Sequence, residues 1–236
     1  VKEEELSMNY CDSLEKNILI PNKLHELLIL GIKQNIDQGK NISLKKAVKP
    51  KIAILREQGV NGHVEMAAAF IVAGFDAWDV HMSDIISKKI SLSQFDGLAV
   101  SGGFSYGDVL GAGKGWAQTI LLNSFLKDEF SQFFENKSKF IFGVCNGCQF
   151  LTELQSIIPG NEIWPKFKEN KSERFESRQC FVEVLDSESL FFKNMSGLKI
   201  PIIVSHGQGK SVFPSYLKKH EVVQLIMRYI SPEVNV

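Results

Sequence analysis

The sequence predicts an α/β fold: a doubly wound, mostly parallel sheet with helices on both faces and an antiparallel extension toward the C-terminus. Three observations carry this expectation. Short aliphatic runs recur at residues 52–55, 77–80, 97–100 and 140–144, and runs that are continuous rather than alternating suit strands buried on both faces. Helix-patterned segments lie between and after them, at 63–73, 83–87, 117–134 and 146–154. Glycines cluster at Gly59 and Gly62, at Gly102, Gly103, Gly107, Gly111 and Gly113, and at Gly143 and Gly147, each set at or just after the end of an expected strand. Strand and helix in alternation give right-handed crossovers, and ligands then bind at the carboxyl ends of the strands.

Taken in order, residues 1–49 read as a linker with helical pieces, because Leu24, Leu27, Leu28, Ile32 and Ile36 give a weak amphipathic spacing amid scattered charge and amide groups. The alternating pattern starts near Lys51 and marks residues 50–236 as one domain. After Pro159 it loosens into strand-like stretches at 175–184, 198–204 (interrupted by Pro201) and 222–229, the expected antiparallel extension. There is no internal repeat and no low-complexity block.

Composition excludes several function classes. In 236 residues, 27 Lys and Arg balance 27 Asp and Glu, so there is no basic footprint for nucleic acid or an anionic membrane surface. With 44% hydrophobic and 23% charged residues, the chain is neither disordered nor a coiled coil. No apolar run reaches the ~18 residues of a spanning helix, so no membrane partner is expected. The acidic start, Val-Lys-Glu-Glu-Glu-Leu, lacks both regions of a signal peptide. Four cysteines are too few for a disulfide scaffold, and a reducing, cytoplasmic setting is expected.

The chemistry concentrates in residues 142–149, Phe-Gly-Val-Cys-Asn-Gly-Cys-Gln. An expected strand ends at Val144 and a helix begins at Asn146, so Cys145 falls on the strand-to-helix turn, between glycines that let the chain approach itself closely. At that turn the helix N-terminus favours the thiolate, the nucleophilic form, and the Asn146 N–H points at the oxyanion that attack on a carbonyl would create. Two other readings stand beside this one: a buried structural cysteine, and a redox dithiol formed with Cys148 at Cys-x-x-Cys spacing. A zinc site is disfavoured, since Cys11 and Cys180 are isolated, and no metal ligand set is expected.

Residues 101–108, Ser-Gly-Gly-Phe-Ser-Tyr-Gly-Asp, follow the strand at 97–100 and would supply a second backbone donor for an oxyanion. A Walker phosphate loop is excluded because Lys114 is followed by Gly115. Residues 203–210, Ile-Val-Ser-His-Gly-Gln-Gly-Lys, close another strand with small and polar groups. There His206 reads equally as a base or site-lining residue and as a histidine satisfied at a strand end.

Five segments in this order and spacing carry a family resemblance: residues 54–62 (Ile-Leu-Arg-Glu-Gln-Gly-Val-Asn-Gly), 102–113 (Gly-Gly-Phe-Ser-Tyr-Gly-Asp-Val-Leu-Gly-Ala-Gly), 143–149, 174–178 (Arg-Phe-Glu-Ser-Arg) and 205–207 (Ser-His-Gly). Together they resemble the C-terminal class I glutamine amidotransferase (glutaminase) domain of large-type phosphoribosylformylglycinamidine synthase, over roughly residues 50–230. The resemblance implies that Cys145 attacks glutamine, that the backbone N–H groups of Gly103 and Asn146 hold the oxyanion, and that Gln149, Ser205, Gly207 and Gln208 contact the substrate. It also implies a synthase domain as partner, where ATP and magnesium drive the use of the released ammonia; no cofactor is expected in this chain. The family completes its triad with His-Pro-Glu, whereas none of His25, His63, His81, His206 and His220 precedes proline. His63-Val-Glu65 has related spacing but opens the first helix of the domain. Gln208 and Lys210 stand where the family usually has Glu and Arg. The expectation is a domain incomplete at its C-terminal end, with nucleophile and oxyanion elements but without the triad His and Glu, and inactive alone.

Overall fold

The aliphatic run after Lys51 forms the middle of the molecule's main sheet. The computed structural model describes residues 48–187, 189–216 and 226–230. The chain divides into two units, Val1–Val48 and Lys49–Val236. The helical pieces expected before residue 48 lie outside the described residues, and the second unit is described here.

Strand β1 (Lys51–Arg56) pairs with β2 (Asp76–His81) on one side and β3 (Gly97–Val100) on the other. Strand β4 (Phe140–Gly143) lies beyond β3, so the order is β2-β1-β3-β4 and every pairing is parallel. Neighbouring side chains of a strand point to opposite faces, and this sorts the core in two. Ile52, Ile54 and Ala99 pack with Phe70 on one face, against helix α1 (His63–Val72). On the other face Ala53, Leu55, Leu98 and Val100 meet α2 (Met82–Ile86), α3 (Lys114–Leu121), α4 (Ser124–Glu135) and α5 (Asn146–Glu153). There Trp116 and Phe150 are fully buried, with ring centroids 4.4 Å apart. Helices on both faces of a parallel sheet are the doubly wound arrangement expected. Because β2 and β3 leave β1 on opposite sides, the crevice between the carboxyl ends of β1 and β3 is where such sheets place a ligand.

Several details differ from the sequence reading. The single helix expected over 117–134 divides at Leu122 and Asn123, because Asn123 is extended (φ −110°, ψ 112°) and its side-chain oxygen accepts the Leu126 N–H at 3.2 Å. A short polar side chain that caps a new helix competes with continuing the old one. The runs at 77–80 and 140–144 are edge strands of the parallel sheet rather than fully buried ones: Asp76 is exposed, Trp78 is 40% exposed, and Phe140–Gly143 are half-buried. Phe191 packs on Phe140 and Phe142.

The antiparallel strands near the C-terminus add nothing to the parallel sheet and form their own. Strand β6 (Glu176–Val184) sits between β7 (Lys199–His206) and β9 (Met227–Ile230), and β5 (Lys166–Lys168) pairs with β8 (Lys210–Val212). Pro201, opposite Phe181, is accommodated because β7 is an edge strand, where a missing N–H is tolerated. Of the strand expected at 222–229, residues 222–225 lie outside the described residues.

Gly147 shows how tightly the layers meet. A β-carbon there would overlap the carbonyl oxygen of Val100 and approach that of Ser101 to 3.0 Å. We expect Gly147→Ala to lower unfolding stability by about 1–3 kcal/mol, the usual cost of overpacking. The readout is a lower urea midpoint at unchanged slope; an unshifted midpoint would mean that α5 does not rest on β3.

Candidate active site

Between β4 and α5 the chain turns within two residues, Val144 and Cys145. Cys145 takes φ 52° and ψ −114° at the N-cap of α5, a conformation side-chain-bearing residues rarely adopt and which costs about 1–3 kcal/mol. The turn persists because Asn146 and Gly147 behind it are buried and the missing β-carbon of Gly147 lets the helix start against the end of β3. It presents the thiol at the carboxyl edge of the sheet. The sulfur donates to the Ser205 carbonyl at 3.5 Å and faces the backbone N–H groups of Asn146 and Gly103.

Electrostatics at this sulfur is a contest. Burial by the surrounding loops is the largest influence and pushes the thiol above its ordinary value, even though the residue as a whole is exposed; the N–H groups of Asn146 and Gly103 pull it down, and the negative Asp108 pushes it up. The net direction is upward, because desolvation outweighs the two backbone donors. Cys148, one turn into α5, has neither donor, and burial followed by the nearby Cys145 pushes it up to about 11.

The second donor comes from the loop after β3. Gly103 has φ 142°, and a β-carbon on it would come within 2.7 Å of both the Gly59 carbonyl oxygen and the Val60 Cα. That loop lies on the loop after β1: Val60 and Gly103 form an antiparallel bridge, Phe104 N–H donates to Gly59 O (2.8 Å), and Asn61 and Gly62 donate to Gly102 O (3.3 and 3.1 Å). Next come three consecutive left-handed residues, Tyr106, Gly107 and Asp108, at φ 52°, 63° and 53°. The two that carry side chains cost about 1–2 kcal/mol each.

Asn146 ties the two sides of the site together. Its side-chain oxygen accepts the Ser105 N–H at 3.2 Å, and its amide donates to Asp108 Oδ1 at 2.9 Å. Burial pushes the Asp108 carboxyl up, while the Asn146 amide and the Gly113 N–H pull it down.

The remaining residues singled out from sequence are brought to the same edge, but with other partners. Gln149 donates to the Gln208 carbonyl at 2.7 Å, and the Gln208 side chain accepts the Ala112 N–H at 3.1 Å. Ser205 and Gly207 offer backbone: the Ser205 carbonyl takes the thiol, and that of Gly207 takes the Asn170 N–H at 2.9 Å. His206 Nδ1 lies 3.0 Å from Asn170 Oδ1, and its ring lies against Gly209. Among the described residues, no histidine is hydrogen-bonded to the Cys145 sulfur.

Sequence reasoning missed Asn170. It is 6% exposed, donates to the carbonyls of Arg174 and His206, and accepts the Gly209 N–H, so it holds the 205–209 loop in place. Its only signal was a turn-forming Asn-Lys-Ser ahead of the 174–178 motif. Beside this loop opens a cleft of about 800 Å³, lined among others by Asp108, Lys114, Asn170, Gln208 and Lys210. The cleft reaches the network around Asn146 but stops short of Cys145, whose thiol lies outside it. Among the described residues, no group of three or more His, Cys, Asp or Glu could hold a metal ion, and no helix is long and apolar enough to cross a membrane.

The contest at the sulfur is measurable. We expect iodoacetamide at neutral pH to modify Cys145 ahead of Cys148, as located by mass spectrometry. Asp108→Asn keeps an oxygen for the Asn146 amide but removes the charge that raises the thiol. The pH midpoint of Cys145 alkylation should therefore fall and its rate at neutral pH should rise; an unmoved midpoint would mean that Asp108 does not act on the sulfur.

With this geometry in hand, likeness to known proteins is informative. A chain in the structure of PurLQS from Thermotoga maritima superimposes with a TM-score of 0.62 at 24% identity, over 78% of this chain and 76% of that one. A glutamine amidotransferase from the same organism gives 0.44 at 18% identity, over 71% of this chain and 64% of its own. The first likeness shows a common fold. Residues 49–236 match the CobB/CobQ-like glutamine amidotransferase domain, and the chain belongs to that family.

Proposed function

We propose that this chain is the glutaminase portion of phosphoribosylformylglycinamidine synthase, releasing ammonia from glutamine. The observation that carries the proposal is the thiol of Cys145 on a positive-φ turn with two backbone N–H groups, of Gly103 and Asn146, facing it. The thiolate adds to the glutamine amide carbon, and the carbonyl oxygen becomes an oxyanion accepted by those two donors. Collapse breaks the carbon–nitrogen bond; the nitrogen takes a proton and leaves as ammonia. Water then hydrolyses the γ-glutamyl thioester, giving glutamate and the free thiol. Gln149 and the backbone of Ser205, Gly207 and Gln208 are the proposed substrate contacts. A synthase domain, holding ATP and magnesium, would receive the ammonia and use it to make the amidine of purine biosynthesis in the cytoplasm.

One observation favours a second reading, a silent glutaminase-like module: His206 is engaged by Asn170. An amide nitrogen leaves poorly unless protonated, and the sulfur itself has its thiol pushed up. A redox role for Cys145 and Cys148 has less support, because a thiol at about 11 exchanges slowly at neutral pH.

Ammonia release from glutamine by the chain alone is expected near background and unchanged in His206→Ala. A chloroketone analogue of glutamine, which needs only the nucleophile and the oxyanion donors, is expected to label Cys145. Gly103→Val should slow that labelling on the order of 10²-fold, the low end for loss of one donor. Robust turnover lost in both Cys145→Ala and His206→Ala would make His206 the base, and unchanged labelling of Gly103→Val would remove Gly103 from the oxyanion site.

A further inference from the structure

Glu57, at the end of β1, is a carboxylate only 6% exposed, and nothing above gives it a task. A buried carboxylate is tolerated only when it is well partnered. Its Oε1 accepts the Gln58 N–H at 2.9 Å, and the Tyr106 hydroxyl lies near enough that the carboxylate adds to the upward push that burial exerts on the phenol. His81 Nε2 lies 3.5 Å from the same oxygen; its Nδ1 accepts the Ser83 N–H, which leaves the proton on Nε2, aimed at Glu57.

Two of these partners lead to the oxyanion loop. Gln58 begins the segment on which residues 102–106 are laid: its carbonyl accepts the Tyr106 N–H at 2.9 Å, ahead of the Gly59, Val60 and Gly62 contacts already described. Tyr106 begins the left-handed run, and such strain persists only where its surroundings over-determine it. Asp108 is held at the far end by the Asn146 amide. At the near end Thr119 Oγ1 lies 3.4 Å from the Tyr106 hydroxyl, with the Glu57 carboxylate close by.

We propose that Glu57 is a positioning residue for the oxyanion hole: by holding Gln58 and Tyr106 it keeps the N–H of Gly103 aimed at the oxygen that becomes charged. The proposal rests on the glutaminase reading. It gives a function to the Arg-Glu-Gln-Gly stretch at 56–59, which lies two strands away from the nucleophile's own strand and contributes no group to the sulfur.

The test compares two electrophiles on the intact chain. Attack on a chloroketone glutamine analogue places charge on an oxygen in the hole; displacement at iodoacetamide does not use the hole. In Glu57→Ala we expect the maximal chloroketone labelling rate of Cys145 to fall about 10- to 100-fold, less than outright loss of a donor, with the half-saturating concentration and the iodoacetamide rate within about twofold of wild type. Glu57→Gln, which keeps an acceptor for Gln58 N–H and can meet the Tyr106 oxygen, should recover most of the rate. Tyr106→Phe leaves the carboxylate its other partners and should show the same selective loss in milder form; this variant decides the matter if Glu57→Ala does not fold. Equal loss with both reagents, no loss with either, or no selective loss in Tyr106→Phe overturns the positioning role. A wild-type chain that reacts with iodoacetamide and not with the chloroketone sinks the glutaminase reading first, and the role of Glu57 with it.

Discussion

The first turn of α5 rests directly on the carbonyl end of β3, and most of the site follows from that contact. Because Gly147 has no side chain, the helix starts after only two residues beyond the strand, Val144 and Cys145. The chain can make that corner only by forcing Cys145 to a positive φ. The same corner seats the Asn146 side chain on two residues of the loop after β3, Ser105 and Asp108. A bulkier residue at 147 would move the Cys145 thiol, the Asn146 N–H and the Asn146 side chain's hold on that loop together. The strain at Cys145 is thus offset by packing a few ångströms away, and the geometry belongs to the sheet and helix rather than to the loop alone.

Packing of this kind carries an electrostatic cost. The loops that bring two N–H groups to the sulfur also remove water from it, and the removal is the larger effect. The carboxylate that steadies Asn146 sits close enough to oppose ionisation as well. The arrangement therefore works against charge on the resting sulfur.

Much of this was legible in the sequence. Uninterrupted runs such as Ile52–Leu55 could only be buried strands, and glycines at their ends marked where backbone had to approach backbone, so the sheet, the helix faces and the turn at Cys145 could all be read from local pattern. What escaped was non-local. The split between α3 and α4 depends on one asparagine choosing to cap, and apolar periodicity runs across it unchanged. Edge position at β2 and β4 depends on which strands pair, which composition does not reveal. Pro201 interrupted an expected strand, and edge placement made it harmless. Asn170 and Glu57 look like ordinary polar residues of a loop and a strand end until the fold buries them, and His206 could be aimed only once Asn170 was known to hold it.

The bridge between Val60 and Gly103 has a consequence for motion. Residues 58–62 and 102–106 share backbone hydrogen bonds in both directions, so no single peptide around Gly103 can rotate alone. Any opening must release both loops at once, as one cooperative unit drawn from two strands of the sheet. Amide protons of Asn61, Gly62, Phe104 and Tyr106 would then exchange with solvent as a family sharing one opening free energy. The site's dynamics would be set by how firmly β1 and β3 are seated, well away from the sulfur.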